Sequence, residues 1–236
     1  MTGTFQFKQF VISHSRAAFK VGTDGVLLGA AVDPGEAIRI LDVGTGCGLI
    51  ALMLAQKSKA QITGIDIDAD SIDEARSNGQ NSPWNERLNF IQIPLQQFVQ
   101  ERPSPFDLIV SNPPFFQTSL RSPDEMKNLA KHDVELNYAD LLESTSKLLS
   151  VNGQAWFILP TETYELFLRT VRQFSLFESG EIVLFPVPGK RAHRTILSLN
   201  SQPTLTPKRS KLYIRNSNHT YTKEYMDLTR DYYLEF

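Results

Sequence analysis

The chain has 236 residues and a formal net charge of −2, and 41% of its residues are hydrophobic, as in a globular protein with an ample core. Its single cysteine, Cys47, excludes a disulfide framework and any zinc site that needs two or more thiolates, and it predicts a reducing, cytoplasmic compartment. The apolar runs are far shorter than the roughly 18 to 20 residues of a membrane span. The N-terminus has no secretory pattern. We therefore expect neither membrane insertion nor a metal.

In chain order, the pattern begins with a short extended piece and a helix within the first 34 residues. Strands are then predicted at residues 38–43, 62–67, 88–93, 107–111 and 155–159. Helices are predicted at residues 49–57, 71–81, 138–149 and 162–174, with a turn at 152–153. This alternation predicts an α/β fold with a mostly parallel sheet and helices on both of its faces.

The last part of the chain lacks this alternation. Apolar stretches at 180–185 and 195–199 have no helical pattern between them, so we expect an antiparallel hairpin that closes one edge of a seven-stranded sheet. A strand at 212–215 and a helix from about Thr222 follow. We expect one domain over residues 1–236, made of an N-terminal extension (1–37), a core (38–200) and a small C-terminal addition (201–236).

Charge is distributed unevenly along the chain. From Pro186 to the end, nine Lys and Arg residues accompany four acidic residues and give +5, whereas the remaining residues carry −7. This is the distribution that a polyanion-binding face leaves in a sequence, and a solvated surface is the alternative. Lys190, Arg191 and Arg194, in the segment that joins the last two strands of the core, are the candidates for phosphate contacts.

A glycine-rich loop follows the first strand of the core. Residues 42–48 read D-x-G-x-G-x-G, and Gly44 and Gly46 allow a tight turn whose backbone N–H groups approach a ligand. The spacing differs from the dinucleotide fingerprint G-x-G-x-x-G, and the leading Asp42 suits an amine-bearing ligand. Asp66 ends the next strand, the position from which a carboxylate reaches ribose hydroxyls.

This loop and its acidic partner resemble those of the class I S-adenosylmethionine-dependent methyltransferases, over residues 38–199. The resemblance implies a Rossmann-like fold and S-adenosyl-L-methionine as cofactor. It places Asp42 near the methionine amino group, and Gly44, Gly46 and Asp66 along the amino-acid and ribose portions. That family often has an acid after the third strand that contacts the adenine, and residues 91–96 contain none. The adenine contact is left open.

A proline-rich turn follows the fourth strand. Residues 111–116 read Ser-Asn-Pro-Pro-Phe-Phe, and the prolines fix the backbone and its carbonyl groups. The Asn112 side-chain oxygen and the Pro113 carbonyl can accept both protons of a planar amine, which directs its lone pair at a methyl donor. Phe115 can stack on a planar substrate, whereas we interpret Phe116 as a core residue. The alternative for the whole turn is a rigid structural loop.

Four segments resemble the bacterial tRNA1(Val) (adenine-37-N6)-methyltransferase family, namely residues 5–10, 20–29, 112–115 and 221–225. The resemblance spans nearly the whole chain. It implies methylation of N6 of the adenine beside the anticodon, with tRNA as partner. The sequence shows no sign of an obligate protein partner. A protein-glutamine N5-methyltransferase, an enzyme acting on rRNA or DNA amines, and a non-catalytic RNA-binding protein are the alternatives.

Overall fold

The computed structural model describes residues 3–17, 20–113 and 137–236. These residues form a two-stranded N-terminal sheet, an eight-stranded main sheet and seven α-helices. The strands are β1 (Thr4–Gln6), β2 (Val11–Ser13), β3 (Arg39–Val43), β4 (Gln61–Asp66), β5 (Leu88–Gln92), β6 (Phe106–Ser111), β7 (Leu149–Pro160), β8 (Phe177–Phe185), β9 (Arg194–Asn200) and β10 (Lys208–Tyr213). The helices are α1 (Thr23–Ala31), α2 (Leu49–Lys57), α3 (Ala69–Gln80), α4 (Leu95–Gln100), α5 (Tyr138–Leu148), α6 (Tyr164–Val171) and α7 (Lys223–Thr229).

The strand order in the main sheet is β10-β8-β9-β7-β6-β3-β4-β5. Among these described strands only β9 is antiparallel to its neighbours. The predicted Rossmann-like α/β fold is therefore confirmed. The expectation of seven strands with an antiparallel edge needs correction, because β9 pairs with both β7 and β8 and so lies inside the sheet. The edge is β10, which pairs in parallel with β8.

The two faces of the sheet are covered by different helices. Side chains alternate along each strand, so Ile40 packs on one face with α1, α2 and α3, and Leu41 packs on the other with α4, α5 and α6. The C-terminal helix α7 joins the first face through the buried Tyr225. This arrangement leaves the carboxyl ends of the parallel strands as the edge at which ligands bind in such sheets.

The turn predicted at residues 152–153 is wrong. Strand β7 begins at Leu149, directly after α5, and its pairing with β6 jumps from Leu149 to Gln154. A Cβ on Gly153 would lie 2.7 Å from the Leu149 Cγ and 3.1 Å from the carbonyl oxygen of Phe106. Glycine is needed at position 153 because the backbone of this bulged strand passes too close to Leu149 and Phe106 to leave room for a side chain.

A buried carboxylate on α3 holds the segment that follows β2. Glu74 is 2% exposed. Its Oε1 accepts hydrogen bonds from the backbone N–H groups of Ser15 (2.7 Å) and Arg16 (2.9 Å), and its Oε2 accepts one from Ala17 (2.8 Å). Burial alone would raise the pKa of Glu74, but these hydrogen bonds together hold the pKa below its ordinary value.

We expect Glu74→Gln to lower the free energy of unfolding by roughly 1–3 kcal/mol near neutral pH, because it replaces the charge-assisted hydrogen bonds of a carboxylate by the weaker ones of a neutral amide. A carboxyl whose pKa is lower in the folded state stabilises the fold fully above its ordinary value of 4.5, and this contribution is lost as pH falls through the folded value. The difference in the free energy of unfolding between wild type and variant should therefore become smaller below about pH 4.5. Urea unfolding at several pH values measures it, with the exposed Glu36→Gln as control. A difference that is constant with pH would contradict this role.

Candidate cofactor and substrate site

Three of the predicted site residues lie at one edge of the main sheet. Asp42 is close to the end of β3, Asp66 ends β4, and Asn112 directly follows β6. The three strands are neighbours in the order β6-β3-β4 and run parallel, so their carboxyl ends are adjacent. Neighbouring strands are about 4.8 Å apart, which brings the glycine loop, Asp66 and the start of the proline turn within the span of one ligand.

The glycine loop has the backbone conformation that the sequence predicts. Gly44 and Gly46 have φ angles of 70° and 54°, in the left-handed region that favours glycine. The N–H groups of Gly44 and Thr45 donate to the carbonyl of Ile65, which anchors the loop to the end of β4. A Cβ at Gly44 or Gly46 would meet no described atom within 4 Å. The loop therefore presents bare backbone at which a ligand can approach closely.

Asn78 on α3 supports the far side of this loop. Its Nδ2 donates to the carbonyl groups of Cys47 and Ser13 at 2.8 Å each, and its Oδ1 accepts from the N–H of Ser13 at 2.8 Å. One amide thus joins the loop to the strand β2. The sequence alone gave no signal for this contact.

Asp66 is oriented by two backbone groups. Its Oδ2 accepts a hydrogen bond from the N–H of Gly46 at 2.9 Å, and its Oδ1 accepts one from Asp68 at 3.0 Å. Each carboxylate oxygen keeps acceptor capacity for a further donor. The side chain is half-buried, beside the loop that it anchors. Both oxygens are therefore placed to receive a pair of hydroxyl groups.

Asp42 lies deeper than Asp66 and is fully buried. Its Oδ2 accepts from the Thr45 hydroxyl at 2.7 Å and from the N–H of Ala51 at 3.2 Å. Its Oδ1 is buried and has no hydrogen-bond partner among the described residues. Burial raises the pKa of Asp42 to about 7, although both hydrogen bonds act to lower it. A buried oxygen without a donor fits a ligand that carries an amino group.

Asn112 begins the proline turn from a fixed strand end. The preceding Ser111 is buried, and its hydroxyl donates to the carbonyl of Val43 at 2.8 Å. Asn112 is half-buried, and Pro113 is buried. The Asn112 side chain forms no hydrogen bond with the described residues, so nothing there indicates a structural use. Phe115 lies outside the described residues.

The three predicted phosphate-binding residues have different environments. Lys190 and Arg191 are exposed in the segment between β8 and β9. Arg194 begins β9, and its Nε donates to a carboxylate oxygen of Asp24, in the first turn of α1, at 2.6 Å. Both side chains of this ion pair are mostly buried, with 25% and 21% exposed. Arg194 therefore ties α1 to the sheet, whereas Lys190 and Arg191 are available at the surface.

Sequence reasoning missed one apolar residue at this edge. Ile67 directly follows Asp66 and leaves its side chain 59% exposed, although the preceding Ile65 is buried. An exposed isoleucine beside the predicted ribose-binding carboxylate offers a surface for a flat ring. The sequence feature that could have identified Ile67 is its position directly after an acid that ends a predicted strand.

Among the residues that the structure describes, no group of three or more His, Cys, Asp or Glu residues is arranged to hold a metal ion. No described helix is long and apolar enough to cross a membrane.

The strand order, the glycine loop after β3 and the carboxylate that ends β4 define a class I S-adenosylmethionine-dependent methyltransferase. The fold has close counterparts among solved structures. A protein described as a predicted O-methyltransferase, from Agrobacterium tumefaciens, matches with a TM-score of 0.69 over 89% of this chain and 96% of its own. At 19% sequence identity, this likeness concerns the fold.

Sequence relatives give the family within this class. The family model "Methyltransferase small domain" matches residues 7–163. A protein named tRNA1(Val) (adenine(37)-N6)-methyltransferase, from Parabacteroides distasonis, is 42% identical over 231 residues, which are 98% of either chain. A protein of the same name from Yersinia pseudotuberculosis is 40% identical and covers 99% of this chain and 93% of its own. The chain belongs to the tRNA1(Val) (adenine(37)-N6)-methyltransferase family.

Proposed function

We propose that this protein transfers a methyl group from S-adenosyl-L-methionine to N6 of an adenine in tRNA, at position 37 beside the anticodon of tRNA1(Val). The observation that carries the proposal is the meeting of the glycine loop, Asp66 and Asn112 at one sheet edge, in a chain 42% identical to a relative of that name. A tRNA substrate also agrees with the expected cytoplasmic location.

The cofactor-binding half of the proposal uses the glycine loop, two carboxylates and one apolar side chain. Gly44 and Gly46 line the amino-acid and ribose portions of the cofactor with backbone only. Asp66 accepts hydrogen bonds from the two ribose hydroxyls, and Oδ1 of Asp42 accepts one from the methionine amino group. When bound, S-adenosyl-L-methionine supplies a methyl group on a sulfonium, ready for in-line displacement. Ile67 contributes an apolar surface to the adenine ring.

The substrate half of the proposal centres on the proline turn. The N6 amine of adenine is a poor nucleophile because its lone pair is delocalised into the ring. The Asn112 Oδ1 and the Pro113 carbonyl each accept one N6 proton, which favours a pyramidal nitrogen and directs its lone pair at the methyl group. Phe115 stacks on the adenine, as enzymes that act on unstacked bases require. The methylated ammonium is acidic enough to lose its proton to water, so no catalytic base is needed.

The proposal is tested with total tRNA from cells that lack this protein. Purified protein and methyl-labelled cofactor should place one methyl group per molecule of tRNA1(Val), and nucleotide mapping should find N6-methyladenine at position 37. Release factors, rRNA and DNA are offered in parallel reactions. Labelling of one of these in place of tRNA would support the corresponding alternative, and a failure to label tRNA would overturn the proposal.

A further inference from the structure

The cations of the C-terminal portion fall into two groups. Four of the nine form ion pairs: Arg194 with Asp24, Arg209 with Glu178 and Glu181, and both Lys223 and Arg230 with Asp227. The other five have no ion pair among the described residues: Lys190, Arg191, Lys208, Lys211 and Arg215. Lys208 begins β10, at the amino end of the strand. We call the remaining four, Lys190, Arg191, Lys211 and Arg215, the edge cations.

An aromatic pair lies among the edge cations. Phe185 ends β8, Tyr213 ends β10, and the two residues are opposite each other in the parallel ladder. Their ring centroids are 4.9 Å apart with an interplanar angle of 24°. Both residues are half-buried, and neither belongs to the described hydrophobic clusters or packs against them. Two stacked aromatic rings outside the core indicate a role at the surface.

The pair lies on the same sheet edge as Asn112. Both β8 and β10 run parallel to β6, so their final residues lie at the carboxyl edge. Strands β7 and β9 separate β6 from β8, and three strand spacings amount to about 14 Å along the edge. The pairing through β7 and β9 puts Ser111 level with Glu181, so Phe185 lies four residues, or about 13 Å, beyond the end of β6. The two displacements together separate the pair from Asn112 by roughly 15–20 Å. A few nucleotides of an unpaired loop span that distance.

The edge cations belong to β10 or to the segments that follow β8 and β10. Lys211 is exposed and lies on the same face of β10 as Tyr213, two residues earlier. Arg215 follows the strand, with its guanidinium carbon 4.1 Å from the centre of the Tyr221 ring. The N–H of Arg215 donates to the carbonyl of Pro186, which tethers it to the segment that carries Lys190 and Arg191. Positive charge and partly exposed aromatic rings therefore occur at the same end of β8 and β10.

We propose that Phe185 and Tyr213 form a stacking platform for unpaired nucleotides a few positions from the methylated adenine, with the edge cations contacting their phosphates. The inference rests on the proposed function, since it assumes an RNA loop whose target base lies at Asn112. Aromatic rings stack on any base, and phosphate neutralisation supplies the affinity of such sites. An RNA loop offers both groups, because its bases are unpaired and its phosphates remain close.

The platform is tested by the double variant Phe185→Leu/Tyr213→Leu, which keeps apolar volume and removes the rings. We expect the KM for tRNA to rise about tenfold, as lost stacking of a base predicts. The KM for the cofactor and kcat at saturating tRNA should be unchanged, which also shows that the variant is folded. Phe177→Leu is the matched control, because Phe177 is exposed at the opposite end of β8.

A second measurement uses anticodon stem-loops with 2-aminopurine two or three nucleotides from the target adenine. Binding to wild type should quench its fluorescence by stacking, and the double variant should lose most of this quenching. Neutralising Lys211 and Arg215 to glutamine should reduce the slope of log affinity against log salt by roughly 0.7 per lost phosphate contact. Arg209→Gln, an ion-paired neighbour on β10, should leave the slope unchanged.

The outcomes separate this inference from the proposed function. If wild type methylates tRNA, and the double variant keeps the wild-type KM for tRNA and the wild-type quenching, the platform is wrong and the proposed function stands. If wild type neither methylates tRNA nor binds the stem-loop, both are wrong.

Discussion

Replacing Asn112 by alanine is expected to lower the rate of methyl transfer by at least about 100-fold, the usual loss when a preorganised polar contact to the reacting group is removed. The cofactor affinity should stay unchanged, because Asn112 follows β6 whereas the loop and the carboxylate that bind cofactor follow β3 and β4. The variant should also fold normally, since the Asn112 side chain has no hydrogen bond to the described residues. Single-turnover rates and calorimetric titration with cofactor measure the two effects.

Two further variants sharpen this experiment. Asn89→Ala removes an exposed asparagine near the amino end of β5 and should have no effect. Ser111→Ala removes the hydrogen bond to the Val43 carbonyl and should give an intermediate rate, because the turn then starts from a less fixed strand end. A near-normal rate for Asn112→Ala would show that the amine is not held by this side chain.

The second large effect is expected for Asp66→Ala, which should weaken cofactor binding by roughly 10- to 100-fold. Hydrogen bonds to a charged group contribute about 1.5–3 kcal/mol, and tenfold in affinity corresponds to about 1.4 kcal/mol. The same change releases the N–H of Gly46, so the loop loses one anchor as the ribose loses its acceptor. Calorimetry with S-adenosyl-L-methionine and its demethylated product measures the loss.

Asp68→Ala is the matched control for this variant. Asp68 lies two residues away and caps α3, where its Oδ2 accepts from the N–H of Ser71 at 2.8 Å. Loss of such a cap costs about 1 kcal/mol of stability. We therefore expect a lower melting temperature with wild-type cofactor affinity. Equal cofactor affinities for the two alanine variants would remove Asp66 from the ribose site.

The sequence predicted the central strands well because each one is a short apolar run that ends at a turn or a helix start. It did not predict β10 at its observed position. Residues 208–211 of that strand are polar and exposed, and the strand is held by backbone pairing with β8. Such an edge strand has no hydrophobic alternation that a sequence pattern can detect. The six-residue helix α4 was missed because it is too short to show a helical period.

For the site, the sequence predicted the residues that belong to compact motifs, namely the glycine loop and the start of the proline turn. The sequence could not separate the ion-paired C-terminal cations from the others, because their acidic partners can be distant in sequence. Arg194 forms an ion pair with Asp24, which is 170 positions away in the sequence. Phe185 and Tyr213 come together only through the pairing of β8 with β10. Linear clustering of charge therefore could not show that Arg194 has an acidic partner within the protein, whereas Lys190 and Arg191 are exposed.

The position of β9 inside the sheet has a consequence for synthesis on the ribosome. Both sheet neighbours of β8 follow it in the chain, so β8 has no partner strand when it first emerges. Strand β3 starts the sheet, and each of β4 to β7 pairs with a strand that is made before it, so their half of the sheet can assemble earlier. Because the chain is made from its N-terminus, every strand of the cofactor-binding half is available before the basic half is complete, and we infer that the basic half is added last. A nascent chain stalled before residue 200 should thus expose the unpaired edges of β7 and β8 to chaperones and proteases.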